Sequence, residues 1–126
     1  MPVLRPALLV LLLLGAPVAM AHANGTSELK ACKALAATLA PKQADITELT
    51  ASRDETAIIV EASGEAWEDA EILRNASAAH AAKADQNKSA YEDAKKQLAR
   101  KEMALQATVR QYNDDVSTFN NQCAKK

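Results

Sequence analysis

Residues 91–123 read YEDAKKQLARKEMALQATVRQYNDDVSTFNNQC, and their spacing decides the fold. Tyr91, Leu98, Leu105, Tyr112 and Phe119 recur at every seventh position. Val109, Val116 and Cys123 form a second such row, four positions after members of the first. Apolar positions that alternate three and four residues apart lie on one side of an α-helix. They form the seam along which it packs against another helix. Lys95 and Glu102 interrupt the second row. Ser89-Ala90-Tyr91-Glu92 matches a capping box, in which a Ser hydroxyl and a Glu carboxylate satisfy the first backbone N–H groups. It marks a possible helix start, unless the helix runs through it.

Working outward, the first half carries its own row: Cys32, Leu39, Ile46, Arg53, Val60, Trp67 and Arg74. Leu35, Leu49, Thr56 and Ala70 lie three residues after members of it. The phase survives Pro41, which fits either the first residue of a new helix or a kink. Gly64 is a second weak point.

The only two cysteines, Cys32 and Cys123, are read as one intramolecular disulfide rather than as free thiols or an interchain bridge. Closing a loop of this length stabilises a fold by roughly 4.6 kcal/mol in the chain-entropy account. The bridge sets a register: Leu39 falls near Val116, Ile46 near Val109, Arg53 near Glu102, Val60 near Lys95 and Trp67 near Lys88. The opposite charges of Arg53 and Glu102 support this antiparallel pairing. At Val60 and Trp67 the lysine stems are expected to cover apolar surface. The cysteines sit near the two ends of the paired segments, so they meet only if the number of antiparallel helices is even. The expected fold is therefore all-α: a long antiparallel helical hairpin, coiled-coil-like, with its ends joined by the disulfide. Its turn is placed near residues 77–78, in a stretch with Asn75 and Ser77 but no Gly or Pro. Each arm is expected to run roughly 40 residues and about 60 Å. The alternative is a four-helix up-down arrangement broken at Pro41, Gly64 and around Asn87. Large side chains thin out between Leu73 and Tyr91, so the tip is expected to fray or to be held by a partner.

Composition agrees. The chain is 48% hydrophobic but only 3% aromatic, and alanine fills the gap. Gly and Pro are too scarce after residue 23 for a turn-rich β fold. The net charge of −1 offers no basic excess for nucleic acid.

Residues 1–23 read as a secretory signal peptide. Arg5 supplies the positive start, Ala7–Val18 the apolar stretch, and the alanines around His22 allow cleavage after Ala21 or Ala23. The expected mature protein, residues 24–126, is one helical domain with no membrane anchor after cleavage, in the periplasm or outside the cell. The sequons at Asn24, Asn75 and Asn87 carry glycans only in a eukaryotic secretory pathway.

Residues for catalysis are missing. His80 is the only histidine beyond the leader and is expected at the exposed tip. No nucleophile elbow, phosphate loop, CxxC pair or helical metal motif occurs, so neither an enzyme nor a cofactor is expected. Glu61, Glu65, Glu68, Asp69 and Glu71 read as a solvated face rather than a cation site. One feature exceeds what a hairpin needs. Ile58 and Ile72 fall opposite the seam, with Ile59 and Leu73 one step nearer, around Trp67. These five residues are the candidate partner surface, for another protein or a second copy, unless the helix phase slips at Gly64 and makes them core. The expected function is that of an exported, non-catalytic protein acting through protein–protein contacts as spacer, adaptor or assembly partner. The alternatives are a periplasmic holdase-type chaperone and a small secreted inhibitor or immunity-type protein. In shape alone the hairpin resembles the prongs of periplasmic holdase chaperones. It shares no motif with them and lacks their basic charge balance.

Overall fold

The computed structural model describes residues 25–124, so the leader and its cleavage sites lie outside the described residues. Helix α1 spans Thr26–Ile72, a 3-10 turn spans Arg74–Ala76, and helix α2 spans Ala78–Cys123. At 47 and 46 residues the arms exceed the expected length, each about 70 Å long. The two helices pack antiparallel as the seven-residue rows require, and Cys32 and Cys123 are disulfide-bonded with Cα atoms 5.7 Å apart. The four-helix alternative does not form, because no break occurs at Pro41, Gly64 or Asn87.

Each suspected break has a local explanation. Pro41 sits inside α1, where its missing N–H leaves the Ala37 carbonyl without its helical donor; packing on either side carries the helix through. Gly64 faces the seam. A Cβ there would stand 3.2 Å from Cε2 of Tyr91, so glycine allows that ring to lie against the α1 backbone. The Ser89–Glu92 motif is interior to α2, and the working N-cap is Ser77. Ser77 has extended backbone (φ −166°, ψ 167°), and its hydroxyl accepts from the His80 N–H at 3.2 Å. The adjacent 3-10 turn and this extended residue reverse the chain without glycine.

The seam is a half-buried one. Leu39, Ile46, Val60, Trp67, Tyr91, Leu98, Leu105, Tyr112 and Phe119 are all intermediate in exposure. Among the described residues only Thr56, Ala84 and Ala94 are buried, at 2, 0 and 6% exposure. Two helices alone leave every seam side chain open on a flank, which is why no large side chain is fully enclosed.

Polar layers punctuate the seam. Lys101 donates from Nζ to Thr56 Oγ1 at 2.7 Å, and Thr56 in turn donates to the Ser52 carbonyl at 2.9 Å. Nearer the disulfide, the Lys42 ammonium is hydrogen-bonded and ion-paired to Asp115. The expected meeting of Arg53 with Glu102 does not occur. Glu102 is exposed, and Arg53 Nε lies 2.7 Å from Asp54 Oδ1 on its own helix. That contact is an ion pair without hydrogen-bond geometry, so the buried Nε–H has no acceptor. The layer contacts step along the helices, pairing Thr56 rather than Arg53 across the seam. Trp67 does meet Lys88, whose ammonium sits 5.7 Å from the ring centroid.

The tip is tied by side chains rather than left to fray. Arg74 donates to both carboxylate oxygens of Glu71, at 2.7 and 2.9 Å, and reaches across the turn to Asp85 at 2.8 Å. The charged bridge substitutes for the large apolar residues missing there.

Candidate contact surface

Four of the five residues singled out above are exposed: Ile58, Ile59 and Ile72 on α1, and Leu73 at its C-cap. Ile58 is 65% exposed, Ile59 52%, Ile72 80% and Leu73 50%. The helix phase does not slip at Gly64: Val60 and Trp67 keep their places on the seam, so the isoleucines are not core. A helix turns about 100° per residue. Ile59 and Leu73 therefore lie one step around from the seam row of Val60, Trp67 and Arg74. Ile58 and Ile72 lie about 200° around, on the far side.

Trp67 does not belong with them. It stacks on Tyr91 with ring centroids 5.6 Å apart, inside the seam. Lys95 caps the stack over Tyr91 at 4.5 Å, and the Trp67 indole N–H donates to Glu71 at 3.3 Å. The tryptophan anchors the tip-side half of the hairpin instead of offering a contact.

Alanines that the sequence reading passed over complete the surface. Ile59, Ala62, Ala66, Asp69 and Leu73 are spaced alternately three and four residues apart, and all are exposed. That is the pattern of a helix-packing seam, on the flank of α1 beside its contact with α2. In a chain so rich in alanine, Ala62 and Ala66 carry no contrast of their own; the spacing from Ile59 to Leu73 was the available signal.

The surface is set in negative charge. Between Asp54 and Ile72 the chain holds seven carboxylates and no Lys, Arg or His. Glu55, Glu65, Glu68 and Asp69 are exposed, and no described cation pairs with them. Glu71 differs. The hydrogen bonds from the Arg74 guanidinium hold its carboxyl below the usual carboxylate range, with desolvation the main opposing influence. The Arg74 pKa is raised by the same pairing with Glu71 and by Asp85. At the other end of the rod, Lys42 first and Gln111 second lower the Asp115 carboxyl.

Other candidates lie elsewhere. Cys32 and Cys123 close the open end and are consumed by their bond. His80 is exposed at the start of α2, with Nδ1 2.7 Å from the Ser77 hydroxyl. Asn75 is exposed in the turn, whereas Asn87 is engaged, donating to the Ala66 carbonyl at 2.8 Å; Asn24 lies outside the described residues. Among the described residues, no group of His, Cys, Asp and Glu side chains is placed to hold a metal ion. No described helix is long and apolar enough to cross a membrane. A shallow hollow of about 380 Å³ on α2 is lined by Glu92, Lys95, Lys96 and Ala99 and opens widely to solvent. No protein family, curated protein or solved structure matches the chain.

Proposed function

We propose that this is an exported, non-catalytic interaction protein, a stiff rod that presents one side of α1 to a protein partner. The observation that carries this reading is the exposure of Ile58, Ile59 and Ile72 on α1 and of Leu73 at its C-cap. An isolated exposed isoleucine needs no explanation, but four large apolar side chains within 16 residues form a stripe. The rest of the rod supports a structural role for itself. The disulfide fixes one end, and the Glu71–Arg74–Asp85 bridge fixes the other. The leader-like first 23 residues and a disulfide point to the periplasm or the extracellular space.

The test uses the exported, oxidised protein. Wild type immobilised and cross-linked in the exported fraction should retain a partner. Ile58→Lys/Ile72→Lys should lose that partner while circular dichroism and the disulfide stay as in wild type. Equal retention by the variant overturns the assignment of the stripe.

A further inference from the structure

We infer that the stripe on α1 takes a basic amphipathic helix of a different protein. This rests on the contact-surface reading and names the chemistry of the occupant.

The stripe is shaped for a helix. Ile59, Ala62, Ala66, Asp69 and Leu73 follow the alternating three-four spacing of a packing seam, and Ile58 and Ile72 widen it by one row. The two alanines in the middle let a second backbone come close, while the larger side chains at both ends grip its apolar face. A helix laid along this line would pack on the flank of α1, about 100° around from the seam with α2.

The surrounding charge selects the occupant. Asp69 stands within the seam spacing itself, and Glu55 and Glu65 border it. A docked helix must bring Lys or Arg opposite these carboxylates, or leave them desolvated without a counter-charge. A second copy of this chain does not meet that need. Packing α1 on α1 through the stripe sets Glu55, Glu65 and Asp69 against the same carboxylates of the second copy. Packing α1 on the α2 of another copy brings few large apolar residues, since Met103 is the one exposed large hydrophobic among the described residues of α2. Several α2 cations are already engaged: Lys88 over Trp67, Lys95 over Tyr91, Lys101 on Thr56 and Lys96 with Asp93.

The probe is a synthetic amphipathic helix of about three heptads, with leucine on one stripe and lysine elsewhere. Two controls are used: its glutamate counterpart, and a lysine peptide of the same composition with the stripe scrambled. The full oxidised mature protein is titrated with each at low and physiological salt. The lysine helix should bind at least about tenfold more tightly than either control. Its amide shifts should map to residues 58–73 of α1, and its affinity should fall with salt. Glu65→Lys/Asp69→Lys should weaken that binding about tenfold and gain binding of the glutamate helix, with circular dichroism unchanged. Equal binding of the scrambled peptide, shifts centred on α2, or no binding by the lysine helix overturns the inference. So does light scattering that shows the wild type self-associated through the stripe. A natural partner lost by Ile58→Lys/Ile72→Lys but carrying an acidic helix would overturn this inference and leave the contact surface standing.

Discussion

At the scale of single residues, the tip is held by charge rather than by apolar burial. Glu71 accepts from Arg74 and from the Trp67 indole, so its ionised form is the one the fold favours. Its carboxyl is depressed in the folded state, chiefly by Arg74. The folded chain therefore binds this proton less readily than the unfolded chain does. Stability from the pair is present above the ordinary carboxylate range and is lost as pH falls through the lower folded value. Asp115, depressed by Lys42, adds a contribution of the same sign at the other end. Glu71→Gln removes only the first. Between pH 7 and about pH 3, below the usual Glu pKa, wild type should lose more melting temperature than Glu71→Gln. Parallel losses would mean that the Arg74 bridge contributes nothing to folding. The bond network itself could not be read from the sequence. Glu71 and Arg74 stand three apart on paper, but Asp85 joins them only after the chain has turned.

At the scale of elements, the helices were legible because their rows keep one phase for some 40 residues, and the disulfide then fixed which rows face each other. What misled was punctuation. Pro41 and Gly64 look like helix ends in a chain with so few of either, yet both are interior to α1. Gly64 is explained by the Tyr91 ring against it. Pro41 is exposed and has no such partner, so its cost is not repaid locally. A mid-helix proline costs about 3 kcal/mol relative to alanine, less where the helix can bend. Pro41→Ala should therefore stabilise the hairpin by about 1–3 kcal/mol in urea unfolding followed by circular dichroism. A destabilised variant would show that the proline shapes the helix to fit α2. The misplaced partner of Arg53 has a different origin. A period of seven fixes which rows meet but not which side chains bond within a layer: the expected register holds at Gly64–Tyr91 and Trp67–Lys88, yet Lys101 reaches Thr56 while Glu102 stays exposed.

At the scale of the whole molecule, the hairpin has length but little interior. Among the described residues the buried ones are two alanines and a threonine, and the large seam residues are half open to water. A helix pair of this kind sits near the margin of stability, so a constraint on the unfolded chain is a large share of what keeps it folded. Cys32 and Cys123 are 91 residues apart, which places almost the whole described chain inside the closed loop. Replacing both by serine should lower the unfolding free energy by about 2–5 kcal/mol. The loss should also be uneven. The half nearer the turn keeps the Trp67–Tyr91 stack, the close approach at Gly64 and the Arg74 bridge. The half nearer the termini keeps the Lys42–Asp115 pair and half-buried apolar contacts. Amide exchange in Cys32→Ser/Cys123→Ser should therefore rise most along the first turns of α1 and the last turns of α2, and least around residues 60–95. If exchange instead rose first at the turn, the aromatic and charged contacts there would not be the anchor, and the disulfide would be holding together a rod that opens from its tip.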